Sequence, residues 1–556
     1  MSVECSDMKL LADVHPDKLR GGFYTAPHVV EFCLQQIQRL REGWPERWLE
    51  PSAGDGAFLR GMAQLLPAAS RRRVCVQAVE LIETEAAKSA GALKNAGIEG
   101  DVANESFFEW ATRDASQFDA VVGNPPYVRY QFVDEDDRLL AERLVGELGI
   151  TLRGVSNLWI PFAILSLARL RENGCFSLVL PSELFCTSSG GQFRAYLIEH
   201  FTSLEIDLFP RATFPDILQD VVVISGRKAV RPAAARPVRF TEHTRTARVV
   251  WGHRVRASSE SWLRYLLSER EHAAFMEATS LRGFHSLGDI ARLEVAIVTG
   301  ANTFFTVPDS TVADYGLRPW AIPLLARTSD APGIVFTEAD HAEARYRGSR
   351  TWLLDFSADR PKPNGQGRVS EYLSIGAAQG LPTRYKCRIR EPWYRVPHIK
   401  RGSLMMTKRA HHYHRLLLNA AEVYTTDTIY RGELRPLFSG READLVSAFQ
   451  NTMTLLSSEV EGRTYGGGVL ELVPSEVAKL SVPLMRTGDL LVHVDGLSRG
   501  VNGQKDPTHA VMQVTDEFLC RSMPGYEQLL PTLDSARRRL QSKRHDLQSD
   551  DSDDVD

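Results

Sequence analysis

The chain alternates short apolar runs with longer amphipathic stretches between residues 29 and 228. Two stretches, 29–41 and 158–170, have helical length. The apolar runs have the length of buried strands and lie at 48–50, 74–79, 118–123, 176–180, 204–209 and 221–225. This alternation predicts a doubly wound, mainly parallel α/β sheet. In such a sheet, ligands bind at the lip formed by the carboxyl ends of the strands.

The length of 556 residues indicates more than one domain. Residues 229–237 are rich in Arg, Ala and Pro, which predicts a linker or an exposed edge. We therefore expect a first α/β domain at 1–235, a second, mixed α/β domain at 236–490 and a helical segment at 491–545. Aspartate dominates residues 546–556, which predicts a disordered acidic tail.

Composition indicates a soluble protein of reducing compartments. Hydrophobic residues make up 43% and charged residues 24% of the chain, and the net charge is −4. The seven cysteines are scattered without zinc spacing, so we expect reduced thiols, no metal site and a cytoplasmic location. No secretory signal is evident. The longest apolar stretch, 158–170, contains Pro161 and is too short for a membrane span, so we expect no membrane partner.

The most informative residues are Asn124-Pro125-Pro126-Tyr127, directly after the apolar run at 118–123. At a strand end they present an amide oxygen, carbonyl oxygens and an aromatic ring. The two prolines fix the backbone and remove two N–H donors, which leaves carbonyl oxygens to accept hydrogen bonds. This set suits a planar base with an exocyclic amine. A strand-ending turn with a structural Tyr is the plainer alternative.

Two further strand ends suit a nucleotide-like cofactor. Residues 48–59 are predicted to form a strand, a small-residue loop and a helix, and Gly54 and Gly56 allow a ligand to approach closely. The amino end of that helix suits a carboxylate. Glu80 ends the run at 74–79, where an acid can accept both hydroxyls of a ribose.

In this order, the motifs resemble those of gamma-class adenine-N6 DNA methyltransferases of the TaqI-like group, over residues 20–230. The resemblance implies the class I methyltransferase fold with S-adenosylmethionine as the cofactor. Residues 22–27 resemble the family's N-terminal motif, Glu80 matches the ribose acid and Leu81 the apolar residue on the cofactor adenine. The implied cofactor-binding residues are Thr25, Glu50, Ser52, Gly54, Gly56, Glu80, Leu81, Ser106, Phe107 and Asn124.

One stretch departs from the family pattern. The family uses an Asp-Phe pair to read the cofactor adenine, whereas this chain has Ser106-Phe107. Phe107 can pack against the adenine, but Ser106 stands where the Asp is expected. The adenine amine is then left to Ser106 itself, or to the nearby Asp101 or Glu105.

The resemblance also implies the catalytic residues, which are Asn124, Pro125, Tyr127 and Phe214. Asn124 and the Pro125 carbonyl would accept the two N–H groups of an adenine amine, so that its lone pair localises and attacks the methyl group. Tyr127 would stack on one face of the flipped base. Residues 211–215 resemble the stretch that supplies the second aromatic wall, with Phe214 on the other face.

The second half contains a strongly basic segment at 384–415. It holds ten Lys or Arg and one acid, Glu391, in a chain whose net charge is −4. Such a local excess indicates contact with a phosphate backbone, and a solvated basic face is the plainer alternative. The predicted DNA-binding residues are Lys386, Arg388, Lys400, Arg401, Lys408 and Arg409. Four interleaved histidines lack an acid or Cys partner nearby, so a metal site is disfavoured; they are His398, His411, His412 and His414.

Three short segments of the second half resemble the target-recognition half of type II adenine methyltransferases: 298–302, 385–388 with 392–394, and 465–468. We therefore expect the mixed α/β domain at 236–490 to be a target-recognition domain for double-stranded DNA. The tail helix near 537–544 is also basic, which fits either DNA contact or solvation.

Three functions follow from these patterns. The first is a site-specific adenine methyltransferase that protects host DNA, with a separate cognate restriction endonuclease as a further partner. The second, a fused restriction-and-modification enzyme, is disfavoured because the motifs begin near residue 22. The third is an RNA or protein-glutamine methyltransferase with the same Asn-Pro-Pro-Tyr chemistry, although such chains are typically compact and lack a large basic domain.

Overall fold

The computed structural model describes residues 25–152, 154–155, 157–210, 221–244, 247–357, 359–363, 367–397, 399–465, 468–500 and 508–545. The chain divides between Glu269 and Arg270 into two compact units, here the first unit and the second unit. Over these ranges, no helix combines the length and the apolarity that a bilayer crossing requires.

The first unit contains a nine-stranded sheet. Its strands are β1 (Arg47–Glu50), β2 (Cys75–Val79), β3 (Glu99–Ala103), β4 (Phe118–Gly123), β5 (Leu170–Pro181), β6 (Phe201–Leu208), β7 (Val221–Lys228), β8 (Ala235–His243) and β9 (Arg248–Arg256). Their order is β3-β2-β1-β4-β5-β7-β6-β8-β9. Strands β1 to β5 run parallel, and β7 is antiparallel to both its neighbours. The predicted doubly wound, mainly parallel sheet is confirmed.

Helices connect these strands as the alternating pattern predicts. They are α1 (Pro27–Arg41), α2 (Ala57–Leu65), α3 (Ala68–Arg71), α4 (Glu83–Ala96), α5 (Phe107–Arg113), α6 (Glu135–Glu147), α7 (Trp159–Ala168) and α8 (Gly191–His200). Helix α1 starts with Pro27, whose missing N–H is harmless in the first turn. Helix α7 tolerates Pro161 for the same reason and is buried along nearly its whole length.

The core lies around the middle strands. All six residues of β4 are buried, although successive side chains point to opposite faces of the sheet. This requires cover on both faces, and it explains why residues 120–123 of β4 form a continuous run of apolar and small residues rather than an alternating one. The strand therefore holds the residues that follow it, Asn124 to Tyr127, on a rigid base.

The boundary expected after residue 235 differs from the observed division. Strand β8 pairs with β6 in parallel, and β9 pairs with β8, so the sheet continues through Arg256 and the first unit ends at Glu269. The composition of residues 229–237 concealed a strand. Pro237 is accommodated because the pairing of β6 with β8 begins one residue later, at Val238, so its missing N–H costs no hydrogen bond to β6.

The second unit is a mixed α/β structure with several small sheets. Its strands are β10 (Phe284–Ser286), β11 (Ala291–Glu294), β12 (Thr306–Val307), β13 (Ala321–Leu325), β14 (Val335–Phe336), β15 (Trp352–Leu354), β16 (Leu404–Thr407), β17 (Arg409–Ala410), β18 (Leu416–Asn419), β19 (Tyr424–Thr425), β20 (Ile429–Leu434), β21 (Arg463–Tyr465), β22 (Val469–Glu471) and β23 (Ser481–Pro483). The largest sheet has the order β11-β20-β16-β18-β14, and β17, β22 and β21 form another.

The helices of the second unit are mostly short. They are α9 (Glu269–Ser280), α10 (Leu287–Ile290), α11 (Asn302–Phe305), α12 (Asp309–Asp314), α13 (Glu338–Tyr346), α14 (Arg368–Ala378), α15 (Tyr385–Arg388), α16 (Glu442–Ala448), α17 (Thr452–Glu461), α18 (Pro474–Val477), α19 (Leu490–Ser498), α20 (Thr508–Ser522) and α21 (Tyr526–His545). Helix α21 packs along α17, so the predicted helical segment joins the core of this unit. The acidic tail predicted at 546–556 lies outside the described residues.

Candidate cofactor and catalytic site, and candidate DNA interface

The topology brings three sequence motifs to one edge of the sheet. Strands β2, β1 and β4 are neighbours and run parallel, with Glu50 beside Ala78 and Leu49 beside Val121. Their carboxyl ends therefore lie side by side. We call the residues that follow them the sheet lip, which comprises 50–56, 80–81 and 124–127.

The loop after β1 is shaped by two glycines with positive φ. Gly56 has φ of 83°, and a Cβ there would lie 3.1 Å from the Cα of Ser89 and from the Cβ of Ala92. The loop thus packs tightly on α4 at this point. Gly54 has φ of 51°, and a Cβ there would meet no atom within 4 Å. The loop is therefore fixed on its protein side and open at Gly54, as a ligand cradle requires.

Glu80 connects this loop to the end of β2. Its carboxylate accepts hydrogen bonds from the backbone N–H of Gly54 at 2.8 Å and from that of Ile82 at 2.9 Å. The same side chain that is predicted to bind a ribose therefore also sets the loop conformation. The next residue, Leu81, is 65% exposed, which leaves an apolar surface beside the acid.

Glu50 is a fully buried acid at the end of β1. Its side chain has no exposed surface, and neither carboxylate oxygen has a hydrogen-bond partner among the described residues. Burial raises the pKa of Glu50 well above its ordinary value, and the charges of Asp55 and Glu80 raise it further. A cationic group would relieve this arrangement. The ammonium and sulfonium groups of S-adenosylmethionine are such cations, so Glu50 fits that cofactor.

Hydrogen bonds to Ser52 and Thr25 hold the turn after β4. Ser52 Oγ donates to the carbonyl of Asn124 at 3.1 Å, and Asn124 Nδ2 donates to Thr25 Oγ1 at 3.3 Å. Because the amide nitrogen faces Thr25, the orientation of Asn124 Oδ1 is fixed as well. The structure thus brings together Thr25, Ser52 and Asn124, three of the predicted site residues. Pro125 follows them and is buried.

Tyr127 is anchored rather than free to rotate. Its hydroxyl donates to the Val179 carbonyl on β5 at 3.0 Å, and only 9% of the residue is exposed. Burial raises the pKa of this phenol well above its usual range, so it stays neutral. The ring is therefore held at a fixed orientation next to Asn124. The predicted second aromatic wall, Phe214, and the N-terminal motif residues 22–24 lie outside the described residues.

The stretch that departs from the family pattern has a partner that the sequence did not reveal. Ser106 caps α5, accepting from the Phe108 N–H at 3.3 Å, and its Oγ donates to Asp137 Oδ1 at 2.5 Å. Asp137 lies on α6. Phe107 is 4% exposed and packs on Phe162, with ring centroids 4.5 Å apart.

The two acids expected to replace the missing Asp are engaged elsewhere. Asp101 accepts from the Gln77 side chain at 3.3 Å, and Glu105 forms an ion pair with Arg113. In the sequence, Asp137 is one of several acids near the start of a helix, so nothing there identifies it as the partner of Ser106.

In the second unit, the basic segment holds cations in two different states. Lys386 and Arg388 on α15 and Lys400 are exposed, and within the described residues none of them forms an ion pair. Arg401 pairs with Glu422 at 2.8 Å. Lys408 and Arg409 share the buried carboxylate of Glu471, at 3.4 Å and 2.8 Å. All six are predicted DNA-binding residues, but only the first three present an uncompensated charge.

Other cations of this segment serve the fold. Arg390 donates to the carbonyls of Val298 and Thr299, at 2.8 Å and 2.6 Å. Gly300, with φ of 82°, approaches so closely that a Cβ there would lie 2.8 Å from the Cβ of Lys386. Two of the three segments that resemble target-recognition motifs, 298–302 and 385–388 with 392–394, are thus packed together.

Two histidines of the basic segment, His412 and His414, contact other parts of the second unit. His414 is fully buried and donates from Nδ1 to the Thr407 carbonyl at 2.9 Å, and burial lowers its pKa to about 4. The His412 ring stacks on His545 of α21, with centroids 5.2 Å apart. His398 lies outside the described residues.

Comparison with known proteins points to one class of enzyme. Two family models match: the Eco57I restriction-modification methylase over residues 69–214, and the C-terminal domain of the type II methyltransferase M.Eco57I over residues 259–519. The first match includes the end of β2 and the Asn-Pro-Pro-Tyr turn, and the second covers most of the second unit.

Two of the relatives match over most of the chain and so extend over both units. The chain is 22% identical to the type II methyltransferase M.AccI of Acinetobacter calcoaceticus, covering 78% of this chain and 79% of that one. It is 23% identical to M.XamI of Xanthomonas campestris pv. amaranthicola, covering 83% and 85%. The type II methyltransferase M.PaeR7I of Pseudomonas aeruginosa is 30% identical over 33% of this chain and 35% of its own length.

The fold, the sheet lip and these matches define a class I S-adenosylmethionine-dependent methyltransferase. Its homologues are type II methyltransferases of restriction–modification systems, of the kind that the Eco57I models describe.

Proposed function

We propose that the chain is a site-specific DNA methyltransferase that moves the methyl group of S-adenosylmethionine to the N6 amine of adenine, as the gamma-class, TaqI-like enzymes do. The observation that carries the proposal is the sheet lip. Glu50, the Gly54 cradle, Glu80 and Asn124 stand at the ends of three adjacent parallel strands. Cofactor and target amine would therefore meet within one rigid frame.

Each lip residue has a distinct role toward the cofactor. Glu50 would balance its positive charge, because this acid is buried and no described residue pairs with it. Gly54 leaves space at the loop, and Glu80 would hydrogen-bond the ribose hydroxyls. The exposed Leu81 would cover one face of the adenine, and Thr25 and Ser52 would support both cofactor and Asn124.

Asn124 and Pro125 would activate the amine. The nitrogen lone pair of adenine is delocalised into the ring, which makes it a poor nucleophile. When Asn124 Oδ1 and the Pro125 carbonyl accept its two N–H groups, the lone pair localises on nitrogen. The N–C bond to the methyl group would then form as the S–C bond breaks, with S-adenosylhomocysteine as the leaving group, and the nitrogen would release one proton to solvent. S-adenosylmethionine supplies the activated methyl, and the protein contributes position and fixed dipoles.

Selection of the base would fall to aromatic rings. A base inside a duplex cannot reach the sheet lip, so it must leave the stack. Tyr127 is held by its hydrogen bond to the Val179 carbonyl and would stack on the flipped base, with Phe214 as the opposite wall.

We further propose that the second unit reads the DNA sequence and that its exposed cations Lys386, Arg388 and Lys400 contact phosphates. The enzyme would act in the cytoplasm and protect host DNA from a cognate endonuclease.

The proposal is tested by transfer of radiolabelled methyl from S-adenosylmethionine to unmethylated genomic DNA, followed by digestion and nucleoside analysis. We expect label in N6-methyldeoxyadenosine. Label in N4-methylcytosine or C5-methylcytosine would overturn the adenine assignment while keeping the DNA substrate. Label only in RNA or protein, offered in parallel reactions, would overturn the DNA assignment.

A further inference from the structure

The adenine of the cofactor has a predictable place in this fold. An acid at the end of the second strand binds the ribose, and the base lies beyond it. Here the acid is Glu80, and the exposed side chain of Leu81 follows it. The loop after β3 is attached to the same point, because Asn104 Nδ2 donates to the carbonyls of Glu80 and Leu81 at 2.9 Å and 3.1 Å. We therefore expect residues 104–106 to form a wall that faces the edge of the base.

The hydroxyl of Ser106 is already committed at this wall. It accepts from the Phe108 N–H and donates its one hydrogen to Asp137. The carboxylate of Asp137 is thereby held 2.5 Å from Ser106 Oγ. Asp137 is half-buried, and among the described residues this hydrogen bond is its one polar side-chain contact. Its second oxygen remains able to accept.

We propose that Asp137 reads the 6-amine of the cofactor adenine, and that Ser106 is the positioning residue that holds Asp137 in place. The carboxylate accepts one N–H of that amine, which a 6-oxo purine lacks. Glu105 does not take this role, since Arg113 balances its charge, and Asp101 contacts Gln77 two residues before the end of β3. The carboxylate that accepts from the adenine amine thus comes from α6 rather than from the residues that directly follow β3. The proposal rests on S-adenosylmethionine as the cofactor, not on which base of DNA is methylated.

The test compares two ligands that differ only at position 6 of the purine. Binding of S-adenosylhomocysteine and of S-inosylhomocysteine, its 6-oxo counterpart, is measured by calorimetry on the full chain. We expect wild type to prefer the adenosyl ligand by about tenfold or more. Asp137→Ala is expected to weaken the adenosyl ligand by about that factor and to bring the ratio close to one. Asp137→Asn, whose amide can also donate, is expected to improve the inosyl ligand.

Matched variants separate this role from a structural one. Asp136→Ala removes the neighbouring acid on the same turn of α6, and Asp101→Ala removes an acid of β3; both should keep the wild-type ratio. The double variant Ser106→Asp with Asp137→Ala returns an acid to the strand side and should restore the preference, with a cap still present on α5.

Two results for the Asp137→Ala variant would overturn the proposal. The first is an unchanged ligand ratio in Asp137→Ala. The second is equal weakening of both ligands in Asp137→Ala without rescue by the double variant, since this would mean that Asp137 only supports the fold. If the wild-type protein binds neither ligand, S-adenosylmethionine is not its cofactor. The proposed role of Asp137 would then be wrong as well. The outcome of the DNA methylation assay does not depend on the ratio of the two ligand affinities. Failure of the proposed function and failure of this inference therefore give different results.

Discussion

The charged residues of the sheet lip and those of the basic segment differ in how their charge is used. At the lip, Glu50 is buried and no described residue pairs with it. In the basic segment, Lys408 and Arg409 share Glu471, and Arg390 and Arg415 bind backbone carbonyls. A charge left uncompensated inside a fold points to a ligand, whereas a dense run of like charges can be largely consumed by the fold.

This difference decides how each region should be probed. At the lip, single substitutions should change chemistry or cofactor binding and leave the fold intact. In the second unit, substitutions should separate into two groups, those that weaken the fold and those that weaken DNA binding. The exposed cations belong to the second group, and the buried ones to the first.

The largest expected effect is at the catalytic turn. Asn124→Ala should lower the rate of methyl transfer by about a thousandfold or more, because it removes one of the two acceptors of the amine. Cofactor affinity, measured by calorimetry, should stay within a few-fold. Asn95→Ala on the exposed end of α4 is the matched control and should keep wild-type activity. An equal loss of cofactor binding in Asn124→Ala would show that Asn124 serves the cofactor instead.

The next effect concerns a buried cation of the second unit. Arg544 is 3% exposed, forms a two-pronged pair with Glu459 at 2.7 Å and 3.1 Å, and donates to the His412 carbonyl. Arg544→Ala leaves a buried acid unpaired and should lower the free energy of unfolding by about 3–5 kcal/mol in denaturant titrations. Arg538→Ala, at an exposed pair on the same helix, should cost about 0.5 kcal/mol or less. An equal loss of unfolding free energy in the two variants would contradict the distinction between buried and exposed cations.

A smaller effect is expected when the exposed cations of the basic segment are replaced. Lys386, Arg388 and Lys400 changed together to Ala should weaken DNA binding and reduce the slope of log affinity against log salt by about 2–3, since each phosphate contact contributes about 0.9. Lys408 and Arg409 changed together should reduce it less, because Glu471 already offsets their charge. Arg72→Ala with Arg73→Ala, exposed in the first unit, is the control. A larger change in the salt slope for the Lys408 and Arg409 double variant would mean that these two residues, rather than the three exposed cations, contact the phosphates.

The smallest effect is the pH dependence of stability at Glu50. Because its folded-state pKa is raised above the unfolded value near 4.5, the folded chain without cofactor holds a proton that the unfolded chain releases. Stability is therefore lost as pH rises above 4.5. Glu50→Gln removes this loss and should raise the Tm at pH 8 by about 2 °C or more, with the difference vanishing toward acid pH.

The same variant should respond less to cofactor. Adding S-adenosylmethionine should raise the Tm of wild type more than that of Glu50→Gln, because only the carboxylate balances the cation. A Tm difference between the two proteins that does not depend on pH would contradict the account of Glu50.

The sequence predicted most of the first unit because local and global signals agree there. The runs that became β4, β5 and β7 are mostly apolar along their buried length, and lip residues 124–127 directly follow β4. The strand β8 was missed because its Arg, Ala and Pro residues mimic a linker, and only its pairing with β6 reveals it.

Partners that are distant in sequence could not be predicted. Asp137 reaches Ser106 because α6 packs beside α5, and Glu471 reaches Arg409 through the pairing of β17 with β22. Charge density identified the basic segment but not which of its cations remain exposed. That distinction depends on the tertiary structure, since a cation is compensated by whatever the fold places beside it.

The most direct test of the central claim is modification-aware sequencing of the genome of a methylation-free bacterial host that expresses the wild-type chain or Asn124→Ala. We predict N6-methyladenine at one short sequence motif with wild type and none with the variant. Unmodified DNA with a well-expressed, cofactor-binding wild-type protein would contradict the claim, as would a modified cytosine or methylation that persists in Asn124→Ala.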